Sequence, residues 1–212
     1  MKIGIFSESP ADEAAIKILV EGILGEKIEI VSSERLRPGG WSHLLQLLPA
    51  TLKHLHYRTD AEALVVVIDS DDTPVHQRTH DQPGARDSRC RLCQAREILD
   101  LEKSRLTPIP GRGPIKMAVG LAVPAIEAWF LCLQDTHVNE AAWARKLESE
   151  KITYTKNSLK EALYGTKRPS IEMETAALID AANRLVADLD MLERLFPEGF
   201  GALARDVRSW QV

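Results

Sequence analysis

The chain has 212 residues, which is enough for one domain with a substantial core. Hydrophobic residues make up 44% of it and charged residues 27%, a balance that is typical of globular proteins and excludes the disordered and fibrous classes. No apolar run approaches the roughly 20 residues needed to cross a bilayer, so we expect a cytoplasmic protein with no membrane partner.

Two predicted strands and a helix open the chain. Lys2–Phe6 is a short apolar run, as expected of a buried strand. Ser9 precedes a proline and two acids, a pattern that begins a helix, and Gly25 is a typical helix end. Lys27–Val31 alternates polar and apolar residues, which predicts a second strand at the edge of a sheet.

A second helix and the clearest strand come next. We predict a helix from about Trp41 to Arg58, in which Pro49 must cause a kink or a break. The run from Ala63 to Ile68 is rich in β-branched residues, which is typical of a strand covered on both faces. The polar stretch 70–88 shows no periodicity and is predicted to be a long loop.

The rest of the chain adds one strand and then only helices. We expect a helix from Cys90 to about Arg105, a fourth strand over 115–121, and a helix after Pro124. Strands that alternate with helices predict an α/β fold with a mainly parallel four-stranded sheet flanked by helices. The expected domain covers residues 1–137, and residues 138–212 form a helical C-terminal extension packed on it. Its helices are predicted near 139–149, 157–164, 170–195 and 199–210.

Four acidic residues fall at the ends of predicted strands or just beyond them. Glu8 follows the first strand, Asp69 and Asp71 follow the third, and Glu127 begins the helix after the fourth. The carboxyl ends of parallel strands meet at one edge of a sheet, so we expect these acids to lie together. Clustered carboxylates repel one another, and a hard cation such as Mg²⁺ relieves that repulsion. Each acid alone could instead stabilise a helix start or form a turn.

These motifs resemble the TOPRIM (topoisomerase–primase) domain. The resemblance rests on Glu8, on the Asp-x-Asp pair at 69–71 and on the run Pro124–Phe130, and it extends to Tyr164–Pro169 and Phe196–Leu203. It is strongest toward small stand-alone TOPRIM-like bacterial proteins related to overcoming-lysogenization-defect-type nucleases. Most of the chain is involved, and the Glu-Ala-Trp-Phe stretch is the most specific part.

The resemblance implies a Rossmann-like fold and a Mg²⁺-dependent or Mn²⁺-dependent nuclease acting on DNA or RNA. Glu8, Asp69 and Asp71 would hold the metal for phosphoryl transfer, and Glu127 would be the additional acid of the nuclease branch. Related stand-alone nucleases often serve in phage defence beside an ATPase, so a separate ATPase partner is expected. Ser9 stands where the TOPRIM motif usually has glycine, which weakens the link to topoisomerases and primases more than the link to a metal site.

The stretch 74–95 contains a second candidate metal site. His76-x3-His80 is followed by Cys90-x2-Cys93. Thiolates with imidazoles select zinc over Mg²⁺, although this ligand order fits no standard zinc-binding class. A cytosolic Cys-x2-Cys pair can also be redox-active or part of a core. We expect a structural zinc ion that fixes this basic loop beside the acids.

The net charge of −4 is unevenly distributed. Residues 76–116 carry nine Lys and Arg against five Asp and Glu, so this segment alone is basic. We expect its arginines to contact the phosphates of a nucleic acid, although a basic stretch is commonly only a solvated surface. The candidates are Arg86, Arg89, Arg91 and Arg112.

Two other functions remain open. An acidic pocket on an α/β sheet also serves phosphotransfer receivers, which accept a phosphoryl group on an aspartate. Receivers need a lysine after the last strand, and Lys116 instead begins its strand. The third reading is a regulatory or binding module whose acidic pocket is inactive. The sequence contains no nucleophile elbow and no phosphate-binding glycine loop, which disfavours serine hydrolases and P-loop enzymes.

Overall fold

A computed structural model of the chain describes residues 1–31, 40–149 and 154–211. Its centre is a four-stranded sheet in which every neighbouring pair of strands is parallel, in the order β2-β1-β3-β4. The strands are β1 (Lys2–Phe6), β2 (Glu29–Ile30), β3 (Ala63–Asp69) and β4 (Lys116–Ala122). The predicted α/β class and the parallel four-stranded sheet flanked by helices are confirmed.

Burial follows the composition of each strand. The residues of β3 from Ala63 to Ile68 are at most 2% exposed, as its β-branched run predicts for a central strand. β2 is shorter than predicted, because only Glu29 and Ile30 pair with β1 and both are exposed at the edge of the sheet.

The helices of the described ranges alternate with the strands and then fill the C-terminal part. They are α1 (Pro10–Leu24), α2 (Trp41–Arg58), α3 (Arg91–Arg105), α4 (Ile126–Leu131), α5 (Glu140–Ser149), α6 (Lys156–Tyr164), α7 (Ile171–Leu185), α8 (Leu189–Leu195) and α9 (Phe200–Arg208). Over these same ranges, no helix combines the length and the apolar character that crossing a membrane requires.

Local signals explain where several helices begin and end. The Ser9 side chain accepts a hydrogen bond from the Ala11 amide at 3.1 Å, and Gly25 ends α1 in the left-handed region at φ 70°. α2 is continuous through Pro49, so of the predicted kink or break the break does not occur. The single helix predicted over 170–195 is divided in two, because the Asp188 side chain caps a new helix by accepting from the Met191 amide at 3.1 Å.

Helices cover both faces of the sheet. α1 and α9 contact each other and lie on one face, while α2 and α3 contact each other and lie on the opposite face. The packing is close on each side: a Cβ atom on Gly120 would lie 3.2 Å from Leu203 of α9, and one on Gly4 would displace the end of the Leu55 side chain of α2. α7 packs on the outside of α1, so helices from the C-terminal part complete the layer.

Candidate functional site

The strand order creates a crevice at the carboxyl ends of β1 and β3. These strands are neighbours, but β2 lies beyond β1 on one side and β4 lies beyond β3 on the other. In open α/β sheets, ligands bind at such a switch point. Glu8 lies two residues beyond β1, and Asp69 ends β3. We call the set Glu8, Asp69, Asp71 and Glu127 the acidic rim.

Asp69 and Asp71 share one cation. The Lys156 ammonium donates to Asp69 Oδ2 at 2.9 Å and also to Asp71 Oδ1. Asp69 Oδ1 accepts from the backbone amide of Ile126, the residue before Glu127, at 3.1 Å. The end of β3 and the start of α4 are thus tied together at the rim.

The backbone of Asp71 is held from two sides. This residue adopts the left-handed region at φ 50°, which aspartate tolerates better than most residues. Its amide donates to the Pro124 carbonyl at 2.9 Å, and its carbonyl accepts from the Trp143 indole at 3.1 Å. Less favoured backbone conformations that the surroundings enforce are frequent at functional sites.

Arg91 joins Asp71 to Glu8. Its Nη1 atom lies 2.7 Å from Asp71 Oδ2 and 4.0 Å from Glu8 Oε1, and it donates to the Asp69 carbonyl at 2.7 Å. The guanidinium stacks over the Trp41 ring at 5.1 Å. Only 10% of the Arg91 side chain is exposed, so the guanidinium is held inside the site and does not extend into solvent.

Two carboxylate oxygens of the rim are buried without a hydrogen bond from any described residue. They are Glu8 Oε1 and Glu127 Oε2. The other Glu127 oxygen accepts from the Tyr164 hydroxyl at 3.2 Å and lies 3.8 Å from the Lys160 ammonium. A buried carboxyl oxygen that accepts no hydrogen bond is unfavourable, and a bound cation would remove that penalty.

The rim shifts the pKa of each acid. Burial, followed by repulsion from Asp69, raises the pKa of Glu8 to about 7. Burial also raises the pKa of Asp69 and of Glu127, and the two carboxylates repel each other. Burial would raise the pKa of Asp71 as well, but the hydrogen bond and the charge from Lys156 hold it below its ordinary value. The site therefore combines three carboxyl groups of raised pKa with one, that of Asp71, whose pKa is lowered.

Sequence reasoning missed two charged residues of this site. Burial and repulsion from Asp69 and Glu127 raise the pKa of Asp12 well above its ordinary value. Asp12 lies four residues after Glu8, in the first turn of α1, and this proximity in sequence was the available signal. An acid at a helix start, however, also has an ordinary structural explanation. Lys156 lies 85 residues after Asp71, and nothing in the sequence pattern associates the two.

The second predicted site is also assembled. His76, His80, Cys90 and Cys93 bring one ligand atom each to within 4.8 Å of one another, so this set could hold a metal ion. We call it the cysteine–histidine cluster. Over the described ranges the carboxylates of the acidic rim do not form a comparably close group, and Lys156 lies between two of them.

The cluster distances fit a tetrahedral ion. His76 Nδ1 lies 3.7 Å from Cys90 Sγ and 3.5 Å from Cys93 Sγ, and His80 Nδ1 lies 3.7 Å from Cys93 Sγ. Ligands about 2.0 and about 2.3 Å from a tetrahedral zinc would be about 3.5 Å apart. The other nitrogen of His76 lies 3.2 Å from Asp81 Oδ1, the carboxylate contact that commonly orients a metal-binding histidine.

The predicted nucleic-acid-binding arginines have different surroundings. Arg86 pairs with Asp100 at 2.5 Å and is half-exposed, and Arg89 is 77% exposed and paired with Asp87. Arg91 is buried at the rim, as described above. Arg112 donates to carbonyl oxygens at and beyond the end of α2, including those of His56, Thr59 and Ala61. Arg86 and Arg89 are therefore the more exposed members of this set.

The chain was compared with protein-family models, with curated proteins and with solved structures, and none of them matches it. The parallel sheet is compatible with a Rossmann-like fold. The TOPRIM resemblance stays a prediction that rests on the motifs, and the geometry of the two sites carries the functional argument.

Proposed function

We propose that the protein is a metal-dependent phosphodiesterase that cleaves nucleic acid at the acidic rim. One observation carries the proposal: carboxylates that follow three different parallel strands converge on the crevice between β1 and β3, and two of their buried oxygens lack a hydrogen-bond partner among the described residues. Such a crevice is the expected ligand position in this class of sheet.

The donor set of the rim suits a hard divalent cation. Glu8, Asp69, Asp71 and Glu127 would hold Mg²⁺ or Mn²⁺, which would supply an activated water molecule and neutralise charge on the phosphate. Glu8 and Glu127 each have a buried oxygen that accepts no hydrogen bond from a described residue, which supports this assignment. Lys156 now neutralises Asp69 and Asp71, so cation binding requires Lys156 to release them.

The residues of the chain would divide the remaining work. Burial raises the pKa of Glu8 to about 7 when no cation is bound. With a cation bound, Glu8 would be ionised and could accept a proton from the attacking water, as a general base does. A groove of about 590 Å³ is lined by Asp72, the residue after Asp71, and by Arg89 and Leu147. Arg89 would contact substrate phosphates from this groove.

We infer that the cysteine–histidine cluster holds a structural zinc ion. Four protein ligands close a tetrahedral shell, which is typical of structural rather than catalytic zinc. Three of the four ligands are buried, and the ion would connect the loop after β3 to the start of α3. Zinc would thereby order a polar segment that has few apolar side chains of its own.

A phosphotransfer module is the second candidate. Lys156 supplies a lysine beside an aspartate at the end of β3, although it comes from the C-terminal part and not from the end of a strand. In that case a small phosphodonor with Mg²⁺ would form an aspartyl phosphate on Asp69 and no nucleic acid would be cleaved. The ATPase partner and the role in phage defence follow from the TOPRIM resemblance alone.

The test is cleavage of labelled single-stranded DNA, double-stranded DNA and RNA with Mg²⁺ or Mn²⁺. Asp69→Asn should reduce the rate by about 100-fold or more, because it removes a carboxylate from the metal-binding set. Asp60→Asn is the matched control, since this side chain is 69% exposed and pairs with Lys2 at the opposite end of the sheet from the acidic rim. Full activity of Asp69→Asn, or no cleavage of any substrate with either ion, would refute the proposal.

A further inference from the structure

The two candidate sites are joined by a single helical turn. Arg91 is the first residue of α3, Cys90 precedes it directly and Cys93 follows two residues later. Two ligands of the cysteine–histidine cluster therefore flank the arginine that contacts the acidic rim. Any ion that draws the two thiols together fixes the backbone from which Arg91 extends.

The rim end of this connection is well defined. Arg91 Nη1 contacts both the Asp69 carbonyl and Asp71 Oδ2 at 2.7 Å, and the Trp41 ring covers the guanidinium. The side chain is too buried to reach a nucleic acid. Its contacts instead fix the loop that carries Asp71, and with it the distance between two carboxylates of the rim.

The other end depends on the cluster. Cys90 is the residue before α3, and its side chain makes no capping hydrogen bond to the first turn. The thiols of Cys90 and Cys93 lie instead against His76. Without an ion, the four side chains of the cluster would contact one another only through weak hydrogen bonds to sulfur, which would contribute little to fixing the start of α3.

We propose that Arg91 is a positioning residue, and that metal binding in the cysteine–histidine cluster sets the geometry of the acidic rim through it. The consequence for catalysis rests on the proposed function, whereas the coupling between the two sites does not. Because coupling is reciprocal, breaking the contact between Arg91 and the rim must weaken metal binding in the cluster.

The coupling can be measured at the cluster alone. Co²⁺ bound by two thiolates in a tetrahedral site gives strong visible absorption, which carboxylate-bound Co²⁺ does not, so a titration of the zinc-free protein reports cluster affinity. Arg91→Met and Asp71→Asn should each weaken Co²⁺ binding about fivefold, the lower range of couplings between sites. The double variant should bind no more weakly than either single variant, because both changes break the same ion pair.

Asp72→Asn is the control, since it removes a neighbouring carboxylate that does not contact Arg91, and its Co²⁺ affinity should equal that of the unmodified protein. Asp71→Asn also gives an answer if Arg91→Met does not fold. Equal affinities in all variants, or additive losses in the double variant, would overturn the inference.

A kinetic measurement separates this inference from the proposed function. Removing zinc with a thiol-seeking chelator at saturating Mg²⁺ should lower kcat for cleavage and leave KM for the nucleic acid unchanged, and added Zn²⁺ should restore kcat. Coupled Co²⁺ binding without any cleavage would leave the inference standing and refute the phosphodiesterase. If cleavage does not depend on zinc and the Arg91 and Asp71 variants bind Co²⁺ as tightly as the unmodified protein, the inference is refuted and the phosphodiesterase stands.

Discussion

The raised pKa of Glu8 gives the most direct test of the acidic rim. We consider Glu8→Gln, which keeps the shape of the side chain and removes its charge. Glu8 must be ionised to bind a cation, yet burial and the neighbouring Asp69 disfavour the ionised form. The variant should therefore make the metal-free protein more stable at high pH while weakening its response to Mg²⁺.

The magnitude follows from the change in pKa between the unfolded and folded states. A rise from 4.5 to about 7 corresponds to at most about 3–4 kcal/mol, and the 24% exposure of the Glu8 side chain reduces this to about 1–3 kcal/mol. Because the folded-state pKa is the higher one, this stability is fully present below the unfolded pKa of 4.5. It is lost as the pH rises through 7.

Urea unfolding without Mg²⁺ at about pH 5 and about pH 8.5 measures the effect. The stability of Glu8→Gln relative to the unmodified protein should rise by about 1–3 kcal/mol between the two pH values. Glu140→Gln is a matched control: burial also raises the pKa of Glu140 to about 7, but its charged neighbours are Glu198 and Arg205 and not the rim. It should show the same pH trend.

Mg²⁺ then distinguishes the two variants. At about ten times its Kd, Mg²⁺ should stabilise the unmodified protein and Glu140→Gln by about 1.4 kcal/mol and Glu8→Gln by less. If the stability difference for Glu8→Gln is the same at both pH values, Glu8 is not a buried carboxyl with a raised pKa. If Mg²⁺ stabilises all three proteins equally, Glu8 does not bind it.

Most of the fold was predictable because its signals are local. The run Ala63–Ile68 forms a buried strand wherever helices cover both faces, and Ser9 and Gly25 define a helix through contacts within a few residues. The carboxyl ends of parallel strands necessarily share one edge, so Glu8 and Asp69 could be placed together without coordinates. The spacing of the cysteines and histidines likewise predicted the cluster.

What was not predictable depends on contacts between distant parts of the chain. Lys156 reaches Asp69 and Asp71 because α6 packs against α4, a tertiary contact with no periodic signature. Arg91 and Arg112 look like other residues of a basic segment, yet one is buried at the rim and the other binds carbonyl oxygens at the end of α2. The positions of arginines in a sequence do not show which of their side chains are exposed to solvent and which are buried.

Four further predictions test the remaining parts. Cys90→Ser should reduce the zinc content from about one equivalent, measured by elemental analysis, and should expose residues 74–95 to proteolysis while the sheet stays folded. Arg112→Met should lower the unfolding free energy by about 2 kcal/mol, because several carbonyl oxygens lose a charged donor, without changing the salt dependence of nucleic-acid binding. Arg89→Ala should instead reduce that dependence and leave stability unchanged.

The last prediction concerns Lys156→Met. The Lys156 ammonium neutralises Asp69 and another carboxylate of the rim. Burial lowers the pKa of Lys156, but the charges of these carboxylates outweigh burial and raise the pKa above its ordinary value. Lys156 therefore stays charged and competes with any divalent cation. Replacing it should tighten Mg²⁺ binding about tenfold by calorimetry, since removing a cation at contact distance is worth more than 1 kcal/mol near a protein surface. The metal-free variant should also be less stable, because the carboxylates then repel one another. Mg²⁺ affinity that is unchanged or weaker would show that the ammonium does not occupy the position of the cation.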